Sequence, residues 1–209
     1  SGFIPIDYTY DHWTINIQLN RIYNVEEQFT IFIEYTAHPY ELEEKDIHLS
    51  AGRGMYFIDP FEKNPYKDTQ LWTSGETNAN SVWFPTVDAP NEKFTQEIYI
   101  TVDQKYHTLS NGILAETVLN DDGTKTDHWK QNQPHAPYLA MMAVGKYFVT
   151  LDDWGPIKLS YYTNQKYNKD VRAIFGETPY MMSYFSTLLG VDFPWDKYAQ
   201  LVVPDFNSG

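Results

Sequence analysis

Six histidines, His12, His38, His48, His107, His128 and His135, are the first residues to test for chemistry, because imidazole is the commonest metal ligand and titrates near neutral pH. No two of them stand four residues apart, the spacing that would send two ring nitrogens from one helix face toward a zinc ion. Surface or turn roles are expected for all six. Zero cysteines exclude disulfides, thiol nucleophiles and thiolate-bound zinc, so no metal is expected on this chain. The residues best suited to recognition lie in the stretch 71–90, LWTSGETNANSVWFPTVDAP. Within it Glu76 follows Gly75, where the backbone can turn sharply and present a carboxylate. The same stretch also reads as a long structured loop. In that reading Trp72, Trp83 and Phe84 anchor it, the prolines stiffen it, and Asp88 bonds to nearby backbone groups.

A core is needed to hold such a loop. The 209 residues, 42% of them apolar and 21% charged, suffice for one complete domain plus part of another. Against 15 basic residues stand 28 acidic ones, a formal net charge of −13 that repels phosphate backbones, and nucleic acid is not an expected partner. The longest apolar stretch, 138–145, is well short of the roughly 20 residues a membrane-spanning helix needs. No cationic segment followed by an apolar run opens the sequence. The compartment stays open, because an absence of cysteine suits reducing and oxidising surroundings alike.

The periodicity is that of strands over most of the chain. Trp13, Ile15, Ile17 and Leu19 alternate with polar residues, as do Phe29, Ile31, Ile33 and Tyr35, and then 94–102. Asn111-Gly112 predicts a hairpin into a strand over 113–119, and Asp121-Asp122-Gly123 predicts a second one returning through 124–131. Further strands are expected over 138–149 and 157–162. The fold class that follows is mainly β, an antiparallel sandwich or an open saddle-shaped pair of sheets. After Thr163 the period becomes helical. Val171, Ile174 and Phe175 share a face, and Thr178 as cap with Pro179 at the first position starts a second helix whose Met182, Phe185 and Leu189 form a buried stripe ending at Gly190. A short strand is expected over 199–203. A β domain over residues 1–155 is therefore expected, with its boundary at Trp154-Gly155-Pro156, followed over 156–209 by the opening of a mixed α/β domain.

Taken in order, several of these stretches resemble the aminopeptidase N and leukotriene A hydrolase family of zinc peptidases, the gluzincin aminopeptidases. Phe84-Pro85-Thr86-Val87-Asp88-Ala89-Pro90 is similar to its F-P-x-x-D-x-P element, with Thr86 where many members have cysteine. Thr73-Ser74-Gly75-Glu76 is similar to T-Q-x-(E/Q), with Ser74 in place of glutamine. Tyr138-Leu139 with Gly145-Lys146-Tyr147 is similar to the Y-L-x-x-x-x-x-G-x-(F/Y) strand near the end of the family's N-terminal domain. Asp205-Phe206-Asn207-Ser208-Gly209 resembles the run that leads into A-M-E-N, which would make Gly209 the first residue of the G-x-M-E-N exopeptidase motif. The resemblance implies most of an N-terminal β domain, its first strands expected to be missing, followed by the start of a thermolysin-like catalytic domain. It implies peptides with a free N-terminus as substrates and zinc in the intact family member. The H-E-x-x-H helix that binds the zinc would lie C-terminal to Gly209, so this chain alone is expected to be inactive and metal-free. It also implies a substrate-binding role for Glu76, Ser74 and Gly209, with Glu76 holding the substrate's α-amino group.

Two other classes compete. The 17 Tyr and 6 Trp with many carboxylates would suit a non-catalytic β-sandwich module that binds carbohydrate or protein, although core packing at alternating positions accounts for most of these rings. A glycosidase would need two carboxylates facing each other across a cleft, and no pair in the sequence can be placed so. Oligomeric state and side-chain preference are not readable.

Overall fold

A computed structural model of the chain describes residues 2–39 and 54–206. The chain divides into two units, Ser1–Thr36 and Ala37–Gly209. In the first, Tyr8–Tyr10 (β1) and Ile15–Ile17 (β2) pair antiparallel. Asp11 closes the turn between them, its carboxylate accepting from the backbone N–H groups of Trp13 and Thr14 at 2.9 and 2.7 Å. The predicted strands are longer than the observed ones. Trp13 lies in that turn, and the run from Phe29 to Tyr35 forms no strand among the described residues. Alternation decides which side chains share a face, but a strand exists only where a neighbouring backbone takes up its N–H and C=O groups.

The second unit holds three sheets. Met55–Ile58 (β3), Gln70–Thr73 (β4), His107–Ser110 (β6) and Met142–Gly145 (β9) form an antiparallel sheet in the order β3-β4-β9-β6. Phe94–Asp103 (β5), Ile113–Leu119 (β7) and Thr124–His135 (β8) form a second, in the order β5-β8-β7. Tyr147–Trp154 (β10), Ile157–Asn164 (β11) and Lys197–Leu201 (β12) form the third, where β12 runs parallel to β11. Parallel neighbours need a long crossover. Val171–Phe175 (α1) and Thr178–Leu189 (α2) supply it.

One core joins all three sheets: Ile58, Trp72, Leu109 and Ala143 of the first, Ile100 and Trp129 of the second, and Tyr147 and Tyr162 of the third. A second core lies between β11 and the helices, where Leu159, Tyr161, Val171 and Met182 meet. Strand β11 serves both, because successive side chains leave opposite faces: Leu159 and Tyr161 point to the helices and Tyr162 to the sandwich. The mainly antiparallel β fold read from the sequence is the fold observed.

Four local readings are corrected. Asn111-Gly112 makes no hairpin, since β6 pairs with β9 while β7 pairs with β8, and the dipeptide carries the chain from one sheet to the other. Gly112 does adopt a φ of 71°, and a Cβ there would stand 1.9 Å from the Lys130 carbonyl oxygen, so the glycine serves close crossing of the sheets rather than a turn within one. The run 138–149 is two strands, because β9 ends at Gly145 and β10 begins at Tyr147 in another sheet. In α2, Thr178 is the first helical residue and Glu177 the cap; the Thr178 hydroxyl is spent on Gln200 of β12, at 3.1 Å, and caps nothing. Its stripe is buried only where the helix lies on the sheet. Met182 is 9% exposed, but Phe185 and Leu189 are 54% and 69% exposed, as is Ile174 of α1 at 60%. Helical spacing defines a face, not how far the surface beneath it extends.

Candidate functional site

Strand β4 delivers the 71–90 stretch, and its end is fixed before the loop begins. The Thr73 hydroxyl accepts from the Met142 N–H at 2.9 Å, tying β4 to β9. Ser74 N–H donates to the Gly54 carbonyl at 2.9 Å, and the Gly75 carbonyl accepts from Ala79 N–H at 2.8 Å, which closes a tight turn around Glu76. Such a turn needs room on its inner side. A Cβ on Gly75 would lie 2.3 Å from Asn80 Nδ2 and 2.5 Å from the Tyr138 carbonyl oxygen, so only glycine permits this approach.

Asn80 is the hub of the turn. It is fully buried, with its Nδ2 donating to the carbonyls of Pro137 and Ala140 at 2.6 and 2.8 Å and its Oδ1 accepting from Trp83 Nε1 at 2.7 Å. Every polar atom of the amide is thereby used. Trp83 and Phe84 extend the packing toward Met55, Ala140 and Phe94, and Asp88 accepts from Ser81 N–H at 3.0 Å. The anchors expected of Trp72, Trp83, Phe84 and Asp88 are all present. Trp72, Trp83 and Trp129 are buried, so none of them belongs to an exposed stacking face of the sort a carbohydrate would need.

Against this rigid backing Glu76 is exposed, and its carboxylate makes no hydrogen bond or ion pair among the described residues. Ser74 beside it is half-buried, held through its backbone. Gly209 lies outside the described residues. Phe206, the last of those described, sets its ring on Trp72 with centroids 5.9 Å apart, and Lys67 pairs with Asp205. The stretch that follows β12 thus runs along the strand that carries the Glu76 turn.

Among the described residues no group of three His, Asp or Glu side chains could hold a metal ion. His128 Nε2 meets Glu97 at 2.9 Å, but Lys130 Nζ takes the other carboxylate oxygen at 2.8 Å, and an ammonium there opposes a divalent cation. These residues do not fit zinc. His135 departs from the expected surface or turn role: it is 2% exposed, its ring tilted at 44° to that of Phe94 with centroids 4.9 Å apart. Burial pushes it below the ordinary imidazole value, against the pull of its bond to the Ala136 carbonyl, which leaves the ring neutral at pH 7. No helix among the described residues is long and apolar enough to cross a membrane.

Sequence reasoning missed Asn80. The available signal was its position three residues before Trp83, which one turn of 3-10 helix, Asn80–Val82, brings side by side.

Comparison with known proteins bears on the same stretch. Glutamyl aminopeptidase of Mus musculus is 28% identical over 130 residues, covering 60% of this chain and 13% of that protein. Glutamyl aminopeptidase of Homo sapiens is 22% identical over 213 residues, 92% of this chain and 21% of that protein. Transcription initiation factor TFIID subunit 2 of Gallus gallus is 28% identical over 129 residues, 58% of this chain and 11% of that protein. The chain therefore spans only a small part of the length of these relatives. Residues 4–139 match the peptidase M1 N-terminal domain. A match that begins in the first unit and continues through β3 to β8 is no product of one short motif, and the chain belongs to the peptidase M1 N-terminal domain family.

Proposed function

We propose that this chain is part of a zinc-dependent aminopeptidase and that Glu76 anchors the free α-amino group of a peptide substrate. The observation that carries the reading is the exposed, unpartnered Glu76 carboxylate on a turn backed by the buried, fully bonded Asn80 amide. An enzyme that removes one residue from an N-terminus has to hold an ammonium, and a carboxylate does so through charge-assisted hydrogen bonds. A turn held from behind by Asn80 keeps that charge at a set distance from the bond to be cut. Ser74 and Gly209 belong to the same substrate site in this reading. The zinc that would polarise the scissile carbonyl is assigned to residues other than those described. Residues 1–155 are assigned to the N-terminal β domain and 156–209 to the start of the catalytic domain, which in this reading opens with β11 and its parallel neighbour β12, joined through α1 and α2.

A second reading rests on one observation. Relatives named transcription initiation factor TFIID subunit 2 match this chain about as well as the aminopeptidases do, which favours a non-catalytic scaffold that binds protein. Steady-state kinetics on the full-length protein with aminoacyl and N-acetylated substrates separate the two. A hydrogen bond between charged partners contributes about 1.5 to 3 kcal/mol, so Glu76→Ala is expected to lower kcat/KM for free-amine substrates by roughly 30-fold. An unchanged kcat/KM refutes the anchor, and a wild-type full-length protein without peptidase activity favours the scaffold.

A further inference from the structure

The ammonium of Lys197, the first residue of β12, leaves its own sheet. Its Nζ donates to the Ser110 carbonyl at 2.6 Å and to the Gly112 carbonyl, and it stands 5.0 Å above the ring of Trp129. No carboxylate among the described residues pairs with it. Burial pushes it down to about 8 against the pull of Asp196, so a charge with a desolvation cost is retained at a place where its hydrogen bonds fix the start of a strand. A second tie lies beside it, from Gln133 Nε2 of β8 to the Pro194 carbonyl at 2.6 Å.

The carbonyls that Lys197 holds belong to the crossover between sheets, and that crossover is bound to the segment behind the Glu76 turn. Asn111 donates to the Leu139 carbonyl at 2.8 Å and accepts from Met141 N–H at 2.7 Å, and the Ser110 hydroxyl donates to the Met141 carbonyl at 2.7 Å. The other acceptors of this segment, Pro137 and Ala140, are the two that Asn80 occupies. Residues 137–141 are thus bound both to Asn80, against which Gly75 is packed, and to the 110–112 crossover that Lys197 holds.

We propose that Lys197 is a positioning residue: through the 110–112 crossover and the 137–141 segment it fixes β12, and the 202–206 stretch that continues it, relative to the Gly75–Glu76 turn. The claim rests on the amine-anchor reading, since it assigns the fixed distance to the carboxylate that receives the substrate ammonium. Lys197 touches no substrate. Its removal leaves the anchor present but misplaced, and an interaction common to ground and transition states is then lost.

The test is kinetic and is made on the full-length protein. Lys197→Met is expected to raise KM for free-amine substrates about tenfold with kcat held within about twofold, and Lys197→Arg, which still donates to both carbonyls, to restore KM to within about threefold of wild type. In a Glu76→Gln background Lys197→Met should add little, because the anchor it positions is already gone. Amide hydrogen exchange should rise at residues 74–80 in Lys197→Met. An unchanged KM, or an effect that simply adds to that of Glu76→Gln, overturns the proposal. Should Glu76→Gln alone leave KM unaltered, the amine-anchor reading fails; the exchange measurement then decides, with faster exchange at 74–80 supporting the positioning role and unaltered exchange overturning it. If Lys197→Met does not fold, Asn111→Ala cuts the same connection one link further on and carries the same expectations.

Discussion

Asn80→Ala isolates the backing of the Glu76 turn. The substitution removes two donors and one acceptor from a fully buried amide, taking Nδ2 away from the carbonyls of Pro137 and Ala140 and Oδ1 away from the indole N–H of Trp83. Each buried polar group left unsatisfied costs about 1 to 3 kcal/mol, and neighbours that share one partner relax together, so about 3 to 6 kcal/mol is expected in place of the full sum. For a chain of this size each kcal/mol moves Tm by roughly 2 to 4 °C, which puts the fall at about 6 to 24 °C. Urea unfolding followed by tryptophan fluorescence is the assay, because Trp83 sits directly on Asn80 and reports its loss. The midpoint should drop with the slope unchanged. Glu76→Gln, in the same turn but in solvent, is the control and should stay within about 0.5 kcal/mol of wild type. A loss below about 1 kcal/mol for Asn80→Ala would show that the two carbonyls are satisfied by other means and that the turn is not built on this amide.

Lys197 gives a pH signature. Its folded value of about 8 lies below the ordinary 10.5, so between these values the unfolded chain binds more protons and stability rises with pH, by about 2 kcal/mol between pH 8 and 10. Buried Tyr147 and Tyr162, both raised by burial, act in the opposite sense only above their ordinary value, where stability is lost; denaturant midpoints up to pH 10 should therefore show a rise in wild type that Lys197→Met lacks, and parallel curves would contradict it. The chain alone should neither cleave aminoacyl substrates nor retain zinc after chelation and dialysis, and one tightly held zinc per chain together with peptidase activity would reverse that expectation.

The sheets could be read from the sequence where a single strand's own pattern decides the outcome. Strand β5 shows strict alternation over 94–102, and the Asp121–Gly123 turn returns the chain along β8 as the antiparallel partner of β7. What failed was the choice of neighbour. Asn111-Gly112 has the chemistry of a hairpin turn, yet β6 and β7 end in different sheets because β6 is completed by β9, more than 30 residues on, and β7 by the strand that follows it, β8. Local dihedral preference is met at Gly112 either way, so it carries no information about which partner is taken. The stripe of α2 failed for a related reason: the sheet under it covers Met182 and leaves Phe185 and Leu189 in solvent.

The same limit applies more severely to the site. Glu76 stands out in the sequence because a carboxylate after glycine can be presented by its own local backbone. Asn80 and Lys197 do not, although they organise the region, because their partners are main-chain carbonyls brought in from distant sequence: Pro137 and Ala140 for Asn80, at separations of 57 and 60 residues, and Ser110 for Lys197, at 87. A carbonyl is the same at every residue, so no side-chain pattern marks the acceptor end of such a bond. The donor end is equally silent, since an asparagine in a loop and a lysine at a strand start are ordinary surface residues until burial removes their water. The residues that present a ligand group are therefore found by type and spacing, and the residues that hold it in place are found only when the fold shows which backbone groups would otherwise be left unpaired.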